Sequence, residues 1–326
     1  MAEATESKTR SARFEERHGS DRSFLAWVTY LVFRVALAIL VRLPWRVVDA
    51  FIGLVARLAR RVDRRHSDAA RKFLRIAEPN LTDARLEERV LEAYRHFFRV
   101  VIESQRLLVH VPIERQREHF EYEFVGNARD VMERGEGVVM VSGHLGNWEA
   151  GAVAVRALGW HEFHGVAKPV KNHFISRFVF EQRQEQGVRI LPRRGAMTEA
   201  PAILKGGGAL GLLLDQRARL KPVMAPFFGR PARSDRSAGV LIRRLRAPVV
   251  LCATFRTERP THFRFRVGPV ITAEEVAGLD PLEVSTRINA ELESMIREAP
   301  EQYFWLHDRY RDAPEPEPES SDAADD

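Results

Sequence analysis

An α/β fold, a sheet flanked by helices with membrane-associated helices at the N-terminal end, is what this sequence predicts, and three observations predict it. Past residue 137 short apolar runs alternate with helical patterns: apolar at Val138–Ser142, Phe163–Ala167, 188–191, 209–214, 249–255 and 263–267, helical at about 147–158, 173–186, 196–205 and 235–246. That alternation is the signature of a sheet with helices on its faces. Residues 82–110 carry Leu86, Val90, Leu91, Tyr94, Phe97, Phe98, Val101 and Ile102 on one broad stripe, a long amphipathic helix starting near Thr82-Asp83. Residues 24–62 are apolar with an arginine-rich border.

Element by element, residues 1–22 are charged and poor in large apolar side chains, so they are expected to be disordered, with no secretory signal. Residues 24–41 read FLAWVTYLVFRVALAILV, eighteen residues with one charge, Arg34. This is marginal for a span of about 20 residues, and a central arginine costs roughly 2.5–3.5 kcal/mol on insertion. After Pro44, residues 45–62 place apolar side chains at helical spacing beside Arg57, Arg60 and Arg61, the pattern of an interfacial helix whose cations meet anionic lipid. Residues 23–66 therefore read as membrane-anchoring helices and 67–312 as the main domain. Asp280-Pro281-Leu282-Glu283 opens a further helix with Asp as cap, Pro in the first turn and Glu closing the cap. Residues 313–326, rich in Pro, Glu, Ser, Ala and Asp, read as a disordered acidic tail.

Composition narrows the chemistry. The chain has 326 residues, 45% of them hydrophobic, and a formal charge of +6. That suffices for a full core. Of 51 basic residues six are lysine and 45 arginine, the side chain that grips phosphate and carboxylate bidentately, so an anionic partner fits. The single cysteine, Cys252, lies in an apolar run, which excludes a disulfide framework and gives no thiolate metal site. His161, His164 and His173 lack metal-ligand spacing, so no metal is expected. Arg243-Arg244-Leu245-Arg246 has no interleaved aromatics and argues against nucleic acid as partner. Gly206-Gly207-Gly208 has no G-K-[ST] and reads as a turn into the next strand.

The chemistry-bearing stretch runs from Gly137 to Glu149, GVVMVSGHLGNWE. An apolar strand ends, His144 follows at its carboxyl end, where open α/β sheets bind ligands, and Glu149 appears as a helix begins. Five residues turn about 500° round a helix, so the two side chains meet only if His144 precedes the helix and Glu149 lies in its first turn. Gly146 and Asn147 supply the turn and the cap. In that arrangement His144 removes a proton from an acceptor hydroxyl while Glu149 fixes its tautomer and stabilises the imidazolium.

His144-x4-Glu149 after an apolar strand resembles the H-x4-D/E motif of glycerolipid acyltransferases, and from the N-terminal apolar segment to about Arg311 the chain resembles the bacterial lipid A late acyltransferases. Lys168-Pro169-Val170-Lys171-Asn172 with Arg177, Arg183 and Gly187 is similar to that family's R-P-x-x-N and R-x3-G segments, and Gly211 to Gln216 to its G-x-L-x-D-Q strand. Phe227 to Ala232 resembles its F-F-G-x-P-A turn, and Pro300 to Arg309 its P-E-Q-Y-x-W-x-H-x-R signature. Lys168 and Lys171 depart from the usual arginine and aspartate, and Ser234 to Ala238 from a T-x-x-G-like turn.

The resemblance implies a glycerolipid-acyltransferase-like sheet and transfer of a fatty acyl group from an acyl-carrier-protein or acyl-CoA thioester to a hydroxyl of a lipid A precursor or similar glycolipid. It implies His144 as base, Glu149 as its partner, and Lys168, Asn172, Arg183, Asp215 and Gln216 as substrate-binding or oxyanion residues, with no cofactor. The place it implies is the cytoplasmic face of the inner membrane. A lysophospholipid or mannosylated phosphatidylinositol acceptor, or a non-catalytic membrane scaffold, are the alternatives.

Overall fold

The computed structural model describes residues 19–160 and 162–314, without the side chains of 192–195 and 197. Most of the two segments expected to be disordered lies outside the described residues, as does His161. Residues 19–22, expected to belong to the first of them, pack on the body instead: the Asp21 N–H donates to Lys171 O at 2.9 Å and Asp21 O accepts from the His173 N–H at 3.0 Å.

Four helices come first, α1 (Phe24–Leu40), α2 (Trp45–Val62), α3 (Arg64–Ala77) and α4 (Asp83–His110). Thr82 caps α4 as its sequence position suggests, its hydroxyl accepting from the Arg85 N–H. A seven-stranded sheet follows, built from β1 (Phe120–Phe124), β2 (Val138–Ser142), β3 (Phe163–Ala167), β4 (Val188–Pro192), β5 (Ala209–Leu213), β8 (Val249–Arg256) and β9 (Phe263–Ile271), in spatial order β1-β9-β8-β2-β5-β3-β4. The five strands β8, β2, β5, β3 and β4 are parallel, and β9 with its parallel neighbour β1 runs against them. A strand such as β8, buried along almost its whole length, needs cover on both faces and so carries an unbroken apolar run instead of alternation.

The interleaved helices are α5 (Ala128–Glu133), α6 (Trp148–Ala157), α7 (His173–Glu185), α8 (Arg193–Lys205), α9 (Arg236–Leu245), α10 (Ala273–Gly278) and α11 (Pro281–Glu298). On one face α6 packs over Val138, Met140, Cys252 and Phe265; on the other Val139, Val141, Leu210 and Leu212 meet the residues of α8, α9 and α11. Asp280 and Glu283 close a reciprocal cap on α11.

The segment read as a turn around Phe228-Gly229 joins a separate hairpin, β6 (Val223–Phe227) and β7 (Arg230–Ser234). Both turn residues have positive φ, 48° and 74°, the two-residue loop that matches strand twist. This hairpin and β1, whose FEYEF carries too many carboxylates to read as a strand, went unseen in the apolar pattern.

Among the described residues no helix is long and apolar enough to cross a membrane. Arg34, expected to be a liability in α1, lies 4.1 Å over the Phe178 ring of α7, and its Nη1 donates to the Tyr30 hydroxyl at 3.1 Å. The opposite sides of α1 and α2 stay open, with Phe24 78%, Leu25 73%, Leu54 63% and Val62 74% exposed.

Candidate active site

Strands β2 and β5 are neighbours with Ser142 opposite Leu213, and the Leu214 N–H extends the ladder to Ser142 O at 3.0 Å. Two residues past each strand end stand His144 and Asp215, so the register alone brings them side by side. The imidazole Nδ1 lies 2.8 Å from Asp215 Oδ1, and the His144 backbone N–H donates to Oδ2 at 2.8 Å. Nδ1 therefore carries the proton, and Nε2 is left as acceptor beside the Gln216 amide nitrogen at 3.3 Å. Trp148 and Phe304 pack the ring with centroids at 5.1 and 6.0 Å.

The carboxylate on Nδ1 is thus Asp215, which had been expected to hold substrate, and not Glu149. Glu149 does sit in the first turn of α6, as the sequence requires, but it is turned to α7: Arg183 Nη2 donates to Oε1 at 2.6 Å and Nε to Oε2 at 3.1 Å. The reason is direct: a planar guanidinium that offers two hydrogen bonds outcompetes a single imidazole N–H already held by Asp215.

Burial pushes the Asp215 carboxyl up, but the charge of His144 and hydrogen bonds from its ring and backbone prevail and hold it at about 2. Burial pushes His144 down, and Asp215's charge and hydrogen bond outweigh it, with a smaller contribution from Glu149, so the imidazole is more basic than usual. For Glu149 burial raises and Arg183 lowers; the result is an ionised carboxylate. His307, by contrast, is driven by burial down to about 4 and remains neutral.

The loop that carries His144 is fastened from behind. Gly146 has φ +58°, and a Cβ there would lie 1.9 Å from Thr254 O, so only glycine fits. Asn147, buried, caps α6 through Oδ1 to the Ala150 N–H at 3.0 Å. The segment after α11 completes the fastening: Gln302 O accepts from the Gly146 N–H at 2.7 Å and His144 O from the Phe304 N–H at 3.0 Å. Further along, His307 Nε2 accepts from the Arg217 N–H at 2.8 Å, and the wholly buried Arg309 donates to Arg233 O at 2.6 Å and Ser234 Oγ at 2.9 Å. One stretch of chain therefore holds both the His144 loop and the Asp215 loop. These residues were recognised by their pattern, but their role as a clamp needs the strand order to be seen.

His144, Trp148, Glu149, Lys168, Arg183 and Gln216 line one cavity of about 550 Å³. Its mouth carries Lys168, Arg183, Arg217 and Arg219; its depth, under α6, is lined by Met140, Val155, Phe163, Cys252 and Phe265. Burial pushes the Cys252 thiol up to about 12, so it is an inert wall group. Asn172 is not brought to the cavity. It caps α7, with Oδ1 accepting from the Phe174 and Ile175 N–H groups, and its amide nitrogen donates to Ala26 O of α1 at 2.8 Å. Among the described residues no cluster of His, Cys, Asp and Glu is arranged to hold a metal.

A model of the protein family described as bacterial lipid A biosynthesis acyltransferase matches residues 17–312. The chain is 24% identical over 291 residues to the lipid A biosynthesis palmitoleoyltransferase of Escherichia coli (strain K12), covering 88% of this chain and 92% of that protein. It is equally similar, with the same coverage, to the lipid A biosynthesis acyltransferase of Shigella flexneri.

Proposed function

Because the chain belongs to the bacterial lipid A biosynthesis acyltransferases, we propose that it moves a fatty acyl group from a carrier-protein or coenzyme A thioester to a hydroxyl of a lipid A precursor or similar glycolipid at the cytoplasmic face of the inner membrane. One observation carries this reading: a histidine whose Nδ1 is locked to a buried carboxylate presents Nε2 to a cavity that is cationic at its mouth and apolar in its depth.

In the proposed reaction the acyl chain lies under α6 and the thioester carbonyl reaches His144. Nε2 takes the proton of the acceptor hydroxyl as its oxygen attacks the carbonyl carbon. Asp215 keeps the proton on Nδ1 and stabilises the imidazolium. The tetrahedral oxyanion is met by Arg183, whose Nη1 makes no protein hydrogen bond among the described residues while Glu149 holds the other edge of the guanidinium. Collapse expels the thiolate, which recovers the proton from His144. Lys168 and Gln216 complete the site, Lys168 toward an acceptor phosphate and Gln216 beside Nε2. The open faces of α1 and α2, apolar and bordered by arginine, support a seat on an anionic lipid surface.

The test is mass spectrometry of lipid products from the purified full chain, given a thioester donor and, in parallel, a lipid A precursor, a lysophospholipid or a mannosylated phosphatidylinositol. An acyl mass added to the lipid A precursor and lost in His144→Ala is expected. Transfer to one of the other acceptors alone would move the acceptor assignment, and no transfer to any would leave a scaffold.

A further inference from the structure

The most exposed large apolar side chain among the described residues is neither on α1 nor on α2. It is Leu220, 79% exposed, in the loop 214–222 that leaves the site after Asp215. Arg219 and Lys221 flank it, both exposed, and Arg219 also lines the cavity mouth. This loop is not a loose one. The Arg217 N–H is held by His307, the Ala218 N–H donates to Arg233 O at 2.8 Å, and the Arg233 side chain donates back to Ala218 O at 3.2 Å and Arg219 O at 3.3 Å. Lys221 adopts φ 41°, a backbone region that a side chain like lysine seldom takes. The fold thus braces a tip that presents leucine between two cations to solvent.

A second segment of the same chemistry borders the cavity. Lys168 lines the cavity, Val170 two residues on is 51% exposed, and Lys171 is tied through Asp21 to the start of α1. Two apolar and cationic projections therefore border the cavity, one of them hydrogen-bonded to the segment that leads into α1.

Resting on the reading above that the acceptor is a membrane lipid, we propose that the loop 217–222 is a second bilayer contact, with Leu220 entering the acyl layer and Arg219 and Lys221 meeting anionic headgroups. The cavity then opens onto the membrane, and the acceptor presents its hydroxyl to His144 without leaving the headgroup layer. An acidic carrier protein would match the two cations, whereas a lipid interface matches the cations and the exposed leucine together, with an anionic stratum over an apolar one.

The full chain carrying Leu220→Cys, labelled with a polarity-sensitive fluorophore, tests this, since the native Cys252 is buried. With phosphatidylglycerol–phosphatidylethanolamine vesicles the label should shift to the blue and be quenched by lipids brominated in their acyl chains. Leu220→Asp should weaken vesicle partitioning about ten- to a hundredfold, the value of burying one leucine. Removing both cations, Arg219→Gln with Lys221→Gln, should weaken it by about tenfold or more on anionic vesicles and little on phosphatidylcholine. Vesicle binding with an unchanged label overturns the loop contact while the lipid reading stands. A label that responds to an acidic carrier protein and not to vesicles overturns it in favour of a protein partner. An unaltered chain that binds no vesicle overturns the contact, and the transfer assay on detergent-dispersed acceptor then decides separately whether the acyltransferase reading also fails.

Discussion

Two ion pairs border the same cavity and are built differently. His144 and Asp215 project from the ends of adjacent parallel strands, and the Asp215 side chain is 2% exposed. Glu149 and Arg183 project from two helices, with side chains 29% and 26% exposed. Strand ends are held by the sheet's own ladder, so the first pair has fixed geometry and little contact with water. Helix-borne side chains keep rotamer freedom, so the second pair is able to accommodate a substrate group. In the proposed reaction the difference suits the strand pair to proton handling and the helix pair to charge presentation.

Breaking the strand pair should give the largest effect. His144→Ala should lower turnover by at least about 10²–10⁴-fold with the fold intact by circular dichroism. Asp215→Asn should cost a comparable factor, and the double variant should be little worse than His144→Ala, because residues that act as a unit are not additive. The pH profile sharpens this. The base works when neutral, so activity rises with pH through the His144 pKa, which Asp215 holds above the ordinary imidazole value. Asp215→Asn should therefore move the acid limb to lower pH while reducing the plateau; an unmoved limb would return the orienting role to Glu149.

The helix pair should respond less and differently. Glu149→Gln is expected to lower turnover by about 10–10²-fold, mostly through a displaced Arg183, and to move the acid limb only slightly, since Glu149 is the smaller contributor to His144's basicity. Arg183→Lys should resemble it, lacking the two-point contact. The smallest effect belongs to Asn172→Ala: about 1 kcal/mol of stability lost with the α7 cap, read from a denaturant midpoint, and kcat unchanged.

What the sequence revealed follows from range. The strand Val138–Ser142, the Gly146 turn and the Asn147 cap are local, and each is where its residues imply. The position of Glu149 in the first turn of α6 was equally legible. Its partner was not, because Arg183 lies 34 residues on, and the strand order that sets β5 beside β2 leaves no mark on either strand. Asp215 stood in a recognisable segment, yet only the register Ser142–Leu213 makes it the neighbour of His144. Asn172 misled for the opposite reason: a polar residue in a familiar motif reads as a ligand group until its side chain is seen to cap a helix. The hairpin β6–β7 escaped because one of its strands contains two of the polar residues that pattern reading discards, Arg230 and Arg233.

The clamp formed by residues 302–309 has a consequence for folding. It follows every strand among the described residues, so the strands alone leave the His144 and Asp215 loops unfastened until this segment docks. The same stretch carries Tyr303 and Trp305, buried against Phe73, so a chain cut short before Gln302 would lose the fastening of both loops together with some of the largest side chains of the core.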